Sequence, residues 1–425
     1  PATGSITISN AAKGETYTIH KLFDATVSED HTSIAYTGTI PAGLETYFTQ
    51  DTNGYISATD AAKDEGGNMS DGLKAALKAW ATPATATATT TSDGSALKFN
   101  GLAYGYYVVT TTQGKQLISV DSTMPNATIV DKNSSTPNDL HKTASSHDVS
   151  IGDTVTYTVS FKTSNYYGAG EAAKEIVSYT IEDTLPDFLS NVTVTSISVD
   201  NDIIEDQTGV TPQFNNNKKI VIKWYDEANK KFLYNNGATV TITYTAVVTE
   251  KATIDGNGNT NDVTLKWTTK GDDQPVPSEI KEKETIYTYA IALKKVNNKG
   301  VALPGAVFEF PFYVQSTPDA TDGAYIYAGD TDKDGLTKQI KTPDSGVIVV
   351  KGVKTGSYEI KEVTAPAGYN KLADPVTVTA VKTGSTTTSK TVYLDENGIE
   401  TNETINTTKV EVNIAKIAAT AVVVV

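Results

Sequence analysis

The chain repeats one pattern, a short run in which apolar residues alternate with polar ones. In the clearest run, Val155, Tyr157, Val159 and Phe161 occupy every second position. Because successive side chains of a β-strand point to opposite faces, this period predicts a strand with one buried face. Three similar runs, each bounded by Gly, Asn or Asp, lie at 192–199, 219–224 and 239–248. The pattern predicts an all-β chain with turns between its strands.

The chain has 425 residues, which is too long for one ordinary core and predicts several domains. Segments rich in Asn, Ser, Asp and Pro at 133–138 and 271–277 are typical of linkers. We therefore expect three β-sandwich domains in series. Their predicted bounds are 1–137, 138–275 and 276–425.

The first region also contains a helical pattern at 70–81. Ser70 can cap this helix, and Leu73, Leu77 and Trp80 share one of its faces. The Ala- and Thr-rich segment 82–91 that follows is either a loop or a weak strand.

Composition excludes several classes of function. Cysteine is absent, so neither disulfides nor thiolate metal sites can form. The net charge is −15 and all 35 basic residues are Lys, which makes a nucleic-acid partner unexpected. No apolar run is long enough to span a bilayer, and no signal peptide is present. No motif predicts a cofactor.

A metal site is also unexpected. The four His are scattered without metal-ligand spacing, and the segment 330–335 resembles only the start of an EF-hand loop. Lys341 stands where that loop needs Glu, and no helices flank it, so the segment is interpreted as a solvated β-turn.

Two segments in the third region carry a family resemblance. The segment 356–369 reads GSYEIKEVTAPAGY, and 300–308 reads GVALPGAVF. Both resemble the motifs of Cna B-type domains in Gram-positive surface pilins, the first being their "E-box" strand. The chain is accordingly similar to a sortase-assembled backbone (major) pilin. The resemblance implies tandem immunoglobulin-like (Cna A/B-type) β-sandwich domains that form internal Lys–Asn amides.

The resemblance implies a reacting triad in the third domain. Its members would be Lys295 as the amine, Glu362 as the proton shuttle and Asn413 as the amide, with Asn406 as an alternative to Asn413. Lys294 would point to the opposite face of the strand and is therefore not the amine.

A second triad is implied in the second domain. The segments 179–186 (YTIEDTLP) and 261–265 (NDVTL) resemble the family's "D-T-L-P" segment and closing strand. They imply Lys142, Asp183 and Asn261, with Glu182 as an alternative acid. The two Lys–Asn pairs enclose similar lengths of chain, with separations of 119 and 118 residues.

These residue types suit amide exchange. Burial lowers the pKa of a lysine and raises that of a carboxylic acid, so the amine can be neutral and the acid protonated. A neutral acid can polarise the amide and move protons while ammonia leaves.

In the first domain Thr111 occupies the position of the acid. Since a threonine cannot shuttle a proton in this way, no bond is predicted there.

The segment 130–133 (VDKN) partly matches the pilin motif "V-Y-P-K-N". By resemblance, Lys132 would accept the sorting signal of the next subunit.

We therefore expect a non-enzymatic shaft subunit of a pilus on the cell wall, outside the cell. Its partners would be copies of itself and a pilin sortase, together with minor pilins and host matrix proteins. The alternative is a wall-anchored adhesin of the same domain types that binds a host matrix protein.

Overall fold

The structure is a computed structural model that describes most of the chain. The described residues are 3–28, 33–112, 114–120, 124–131, 136–168, 172–206, 208–254, 257–315, 324–381, 384–387, 389–394, 400–406, 410–412 and 420–424. Side chains are described in these ranges up to residue 381, except for 114–120.

Within the described part of residues 3–131, the first unit contains a short 3-10 helix, Asp60–Ala62, together with ten strands and one α-helix. They are β1 Thr3–Ser9, β2 Thr16–Val27, β3 Ile34–Thr37, β4 Phe48–Gln50, β5 Ile56–Ala58, α1 Asp71–Ala81, β6 Ala88–Thr91, β7 Leu97–Ala103, β8 Gly105–Thr111, β9 Gly114–Val120 and β10 Asn126–Val130. One sheet has the order β10-β1-β7, and the other has the order β4-β5-β3-β2-β8-β9, with β6 paired to β2.

Helix α1 lies where the sequence predicts it. The Ser70 hydroxyl caps its first turn by accepting from the backbone N–H of Leu73 at 3.2 Å. Leu73, Leu77 and Ala81 are buried, and they cover a second small core of the first unit with Phe23 and other apolar residues. Among the described residues α1 is the only α-helix.

The second unit, residues 138–286, is a two-sheet sandwich. Its strands are β11 Asn138–Ala144, β12 Thr154–Lys162, β13 Tyr166–Tyr167, β14 Lys174–Asp183, β15 Leu189–Val199, β16 Asp202–Ile203, β17 Lys219–Lys223, β18 Tyr225–Asp226, β19 Lys231–Phe232, β20 Thr239–Val248, β21 Asn259–Thr269 and β22 Ile280–Ile286. The sheet orders are β11-β12-β20-β15-β16 and β13-β14-β21-β22, with β17 paired to β14 and a hairpin β18-β19.

The third unit, residues 289–424, is also built from facing sheets. Its strands are β23 Tyr289–Lys294, β24 Val307–Gln315, β25 Ala324–Ile326, β26 Leu336–Lys341, β27 Val347–Val353, β28 Gly356–Thr364, β29 Val376–Val381, β30 Gly384–Thr387, β31 Ser389–Leu394, β32 Glu400–Asn406, β33 Val410–Val412 and β34 Thr420–Val424. The sheet orders are β25-β27-β23-β34-β33 and β26-β24-β28-β29-β30, with a hairpin β31-β32.

The predicted all-β fold with a short helix in the first region is confirmed. The division at 275/276 differs in one respect from the strand pairing. Strand β22 lies after that point in sequence, yet it pairs with β21 from Asn259↔Ile286 to Leu265↔Ile280. Its hydrogen bonds therefore belong to the second sandwich. The division into three domains itself stays a prediction.

The second and third units are joined by a segment of the second that contacts the end of β27. The Ile151 N–H donates to the Gly352 carbonyl at 2.8 Å, and the Lys354 N–H donates to the Ser150 hydroxyl at 2.9 Å. The Thr355 N–H donates to the Asp148 carboxylate at 2.9 Å. One backbone hydrogen bond and two hydrogen bonds from backbone N–H groups to side chains thus fix one sandwich against the other.

No helix within the described part of the chain has the length and apolarity needed to cross a lipid bilayer.

Candidate functional site: two buried lysine–carboxylate pairs

The first pair lies between the two sheets of the second unit. Lys142 is on the edge strand β11 of one sheet, and Asp183 ends β14 of the other. The Lys142 Nζ and Asp183 Oδ2 atoms lie 2.7 Å apart, and neither side chain is exposed to solvent. Lys142 shares the buried face of β11 with Leu140, as the period of two requires.

The two acids considered for this site point to opposite faces of β14. Asp183 is buried, whereas Glu182 faces outward and pairs with Lys219 at 2.6 Å and with Lys266 at 3.0 Å. The structure therefore places Asp183, and not Glu182, beside Lys142.

The predicted amide, Asn261, is fully buried on β21, next to β14 in the same sheet. Its Nδ2 atom donates to the Tyr244 hydroxyl at 2.8 Å, and that hydroxyl donates to Asp183 Oδ2, also at 2.8 Å. Its Oδ1 atom accepts from the Thr184 hydroxyl at 3.0 Å. Asp183 Oδ2 is thus the atom where hydrogen bonds from Lys142 and Tyr244 converge.

Two aromatic rings form the wall of this site. Tyr157 and Tyr244 are opposite each other on β12 and β20, and their rings stack with centroids 5.3 Å apart. Lys142 Nζ lies 5.4 Å and 5.8 Å from the two centroids. The site is shielded from bulk solvent, and burial lowers the pKa of Lys142 despite the raising effect of Asp183. Burial, followed by the charge of Asp183, raises the pKa of Tyr244, which keeps its phenol neutral.

The arrangement brings an amine, an acid and a primary amide together in a water-excluded space. A lowered lysine pKa increases the fraction of neutral amine, which is the nucleophilic form. The acid is within hydrogen-bond reach of that amine and, through one hydroxyl, of the amide nitrogen. These are the requirements for an intramolecular amide exchange.

The second pair lies in the third unit. Lys295 directly follows β23, and its Nζ lies 3.1 Å from Glu362 Oε1 on β28. Ile360 and Glu362 alternate with exposed residues on β28, so both point into the core. The Glu362 side chain is completely buried, and Lys295 is nearly so.

Only one oxygen of Glu362 has a hydrogen bond. Oε2 accepts from the Leu372 N–H at 2.8 Å, whereas Oε1 has no partner with hydrogen-bond geometry among the described residues. The carboxylate is therefore anchored by one oxygen and presents the other to Lys295. A free acceptor atom in this position suits an acid that exchanges protons.

The predicted amide of this unit cannot be placed. Asn413 lies outside the described residues, and so does the side chain of Asn406, whose backbone ends the hairpin strand β32. Strand β33, which immediately precedes Asn413, is separated from β23 by β34 in the sheet. The choice between Asn413 and Asn406 stays open.

In the first unit, Thr111 takes the expected position on β8, opposite Tyr17 of β2. The Tyr17 hydroxyl donates to the buried carboxylate of Asp131, just after β10. Lys132 lies outside the described residues. The absence of a bond in this unit and the role of Lys132 stay predictions.

Sequence reasoning overlooked Tyr244 and Thr184. Tyr244 alternates with Val240 and Ile242 on the buried face of β20, so the sequence presents it as an ordinary core residue. Thr184 could have been noticed, since it belongs to the segment that supplied Asp183. Among the described residues there is no group of three or more His, Asp or Glu that could hold a metal ion.

Residues 289–394 match a family model, SpaA, described as a prealbumin-like fold domain. This part of the chain resembles a SpaA domain. The SpaA-like region begins with β23 and contains both Lys295 and Glu362. It ends before Asn406 and Asn413.

A curated protein is similar to a larger part of the chain. Over 278 residues the chain is 27% identical to the trypsin-resistant surface T6 protein of Streptococcus pyogenes serotype M6. The match covers 58% of this chain, and the chain spans just under half, 46%, of that protein.

Solved structures with a similar arrangement include three pilins. The group B streptococcus pilus 2b backbone protein is 24% identical, with 67% of this chain and 96% of that chain covered and a TM-score of 0.43. The T6 backbone pilin of Streptococcus pyogenes is 16% identical, with coverage of 100% and 97% and a TM-score of 0.42. The major pilin RrgB of Streptococcus pneumoniae is 14% identical, with 99% of both chains covered and a TM-score of 0.45.

Proposed function

We propose that this chain is a structural shaft subunit of a covalently polymerised pilus on a Gram-positive cell surface. The observation that carries the proposal is the pair of buried lysine–carboxylate contacts, Lys142–Asp183 and Lys295–Glu362, in two successive sandwiches. Burying an ion pair is costly, and disulfides are excluded because the chain has no cysteine. Reactive pairs that become amides explain both facts.

In the second unit the proposed bond joins Lys142 Nζ to Asn261 Cγ with loss of ammonia. Asp183 is the proton shuttle, since it contacts the amine directly and the amide nitrogen through Tyr244. In the third unit Glu362 would act in the same way between Lys295 and Asn413. Each reaction occurs once per molecule, so the chain is not a turnover enzyme.

Each bond would close a long loop between the early and late strands of its unit. By analogy with disulfides, closing a loop of this length removes about 4–5 kcal/mol of unfolded-state entropy. Such domains should resist proteases, and the relative from Streptococcus pyogenes is named for trypsin resistance. The surface location of that relative supports an extracellular location for this chain.

Polymerisation would proceed through Lys132. A pilin sortase would join this amine to the sorting signal of another copy, so that the shaft runs head to tail. Tension would then enter near Lys132, pass through the second and third units and largely bypass the first. The hydrogen bonds of Ser150 and Ile151 to the end of β27 would transmit that tension between the two cross-linked units.

The test is expression of the full subunit, with its sorting signal, together with its pilin sortase. We expect high-mass ladders on a denaturing gel, and Lys132→Ala should abolish them. Lys98→Ala is the matched control, because Lys98 is an exposed strand lysine of the same unit. Ladders that persist in Lys132→Ala would refute this acceptor. Absence of ladders from wild type, with tight binding of the monomer to a host matrix protein, would instead favour the adhesin.

A further inference from the structure

The polar atoms around Asn261 suggest a chemical role for Tyr244, the residue through which Asp183 contacts the amide nitrogen. We propose that Tyr244 is a catalytic proton relay in the formation of the Lys142–Asn261 bond. This inference rests on the proposed cross-link and adds the group that delivers a proton to the departing nitrogen.

The leaving group of this reaction needs a proton. Asn261 Nδ2 carries two hydrogens in the amide and must gain a third to depart as ammonia. Asp183 is the acid of the site, and its Oδ2 atom is held by Lys142 at 2.7 Å and by the Tyr244 hydroxyl at 2.8 Å. The same hydroxyl receives the N–H of Asn261 Nδ2 at 2.8 Å. The Tyr244 hydroxyl thus links the acid to the leaving group through two hydrogen bonds.

The position of Tyr244 follows from the sandwich. It lies on β20, in the middle of one sheet, whereas Asp183 and Asn261 lie on β14 and β21 of the facing sheet. Its hydroxyl crosses the core to reach both residues, and the residue has no exposed surface. Water from outside is therefore not at hand to carry this proton.

Two protons leave Lys142 Nζ when the amide forms. The Lys142 ammonium gives one proton to Asp183, and the neutral amine attacks Asn261 Cγ. Asp183 donates to the Tyr244 oxygen while Tyr244 passes its own proton to Nδ2. The Cγ–Nδ2 bond breaks, ammonia leaves and the new Nζ–Cγ bond remains. Of the two protons that leave Nζ, one ends on ammonia and the other on Asp183.

This relay requires a phenol that stays protonated and can both accept and donate. Burial and the neighbouring charge of Asp183 raise the pKa of Tyr244, which agrees with a neutral hydroxyl. In the structure the hydrogen bonds run from Nδ2 to the hydroxyl and from the hydroxyl to Asp183. Proton delivery reverses this direction once Asp183 is protonated.

The chain offers a matched control in Tyr157. Its ring stacks on that of Tyr244 and lies at a similar distance from Lys142, and it is equally buried. Its hydroxyl, however, has no hydrogen-bond partner within the described residues. Replacing either tyrosine by Phe deletes one buried hydroxyl, but only one of the two touches the reacting amide.

The test follows bond formation in the newly synthesised whole chain. Cell-free synthesis is stopped, samples are quenched in acid over time, and peptide mapping by mass spectrometry measures the Lys142–Asn261 link. General acid catalysis typically accelerates a reaction about 10²–10⁴-fold, so Tyr244→Phe should slow this link about 100-fold or more. Tyr157→Phe should stay close to the wild-type rate, and the link of the third unit should form normally in both variants.

A second measurement distinguishes loss of the proton relay in Tyr244→Phe from a defect in folding. In the Lys142→Ala background, where no link can form, near-ultraviolet circular dichroism and thermal unfolding should show that Tyr244→Phe still folds. Formation of the link at the wild-type rate in Tyr244→Phe would overturn the relay, as would an equal loss of rate in Tyr157→Phe. If wild type lacks the link altogether, the proposed cross-link fails, and the relay fails with it.

Discussion

Lys142 Nζ lies 2.7 Å from Asp183 Oδ2, and both side chains are wholly shielded from solvent. Water cannot stabilise either charge, so the contact between them and the hydrogen bond from Tyr244 to Asp183 must offset two desolvation costs. Conversion of the amine into an amide removes the charge of the lysine and leaves a neutral acid. The arrangement therefore stores free energy that bond formation can release, and the following predictions test that interpretation.

The mass of the intact chain should report the bonds. We expect a deficit of two ammonia units, and Asn261→Ala should restore one of them. This variant should also unfold more easily by about 4–5 kcal/mol, since its unfolded chain is no longer constrained by a long loop. Intact mass spectrometry and denaturant unfolding provide the two measurements. Asn216→Ala, at an exposed position of the same unit, should behave as wild type. A wild-type mass equal to that of the unmodified chain would contradict the proposal.

Glu362→Gln should prevent the bond of the third unit although Lys295 and the reacting asparagine remain. Glutamine retains the shape of the side chain but cannot take up the lysine proton. The mass deficit should fall to one ammonia, and protease should cut the third unit faster. Glu359→Gln is the control, because Glu359 is exposed on the same strand. Unchanged bond formation in Glu362→Gln would mean that another acid serves this unit.

The stability of the unlinked second unit should depend on pH. In Asn261→Ala the amine of Lys142 persists, and burial lowers its pKa below the ordinary value of 10.5. At pH values between the lowered pKa of the folded state and the ordinary pKa of the unfolded state, the unfolded chain binds more protons than the folded one. The free energy of unfolding should therefore rise with pH in this range. The slope from this group is at most about 1.4 kcal/mol per pH unit.

Urea unfolding at a series of pH values measures this slope. The variant that combines Asn261→Ala, Lys142→Met and Asp183→Asn provides the baseline, because it removes the amine without leaving a buried carboxylate unpaired. The difference between the two curves should increase from neutral pH toward pH 10.5. A flat difference would show that Lys142 has the same pKa in both states.

Thr184→Val should slow the link of the second unit by about 100-fold, the loss typical for one donor to a developing oxyanion. The hydroxyl of Thr184 donates to Asn261 Oδ1, the atom that gains negative charge during attack. Thr184 is exposed on its outer side, but Asn261 is fully buried, so water is not available to replace the lost donor. The time course of the mapped cross-link measures the effect, and Thr184→Ser should retain the wild-type rate. A rate close to wild type in Thr184→Val would show that this oxygen does not depend on the Thr184 hydroxyl during the reaction.

Gly352→Ala should weaken the junction between the second and third units. Gly352 has a φ of +87°, and a Cβ there would lie 2.2 Å from Ile151 Cδ1. Overpacking of this kind typically costs about 1–3 kcal/mol. Limited proteolysis between β22 and β23 should become faster. Gly335→Ala is the control, since its φ is +80° but no atom lies within 4 Å. An equal increase in the rate of proteolysis in both variants would mean that backbone strain, and not the contact with Ile151, causes the change.

Much of the fold follows from local pattern. The runs containing Val155 and Phe161, and the helix capped by Ser70, could be predicted because periodicity and capping act between near neighbours in sequence. The position of β22 could not, because pairing of Ile280 with Leu265 depends on contacts between whole sheets. The linker-like composition of 271–277 predicts a domain boundary before β22, but the hydrogen bonds of β22 pair it with β21 of the second unit.

The sequence by itself determined which chemistry was available: a chain without cysteine, with lysines on early strands and acids at the ends of recognisable motifs. The strand period also required Glu182 and Asp183 to face opposite ways, but only the tertiary structure decided which of them meets Lys142. It alone brought Tyr244 to Asp183 and Asn261, since these residues lie on different strands of facing sheets. The physical reason is that side-chain direction is a local property, whereas contact across a sandwich depends on how two sheets pack.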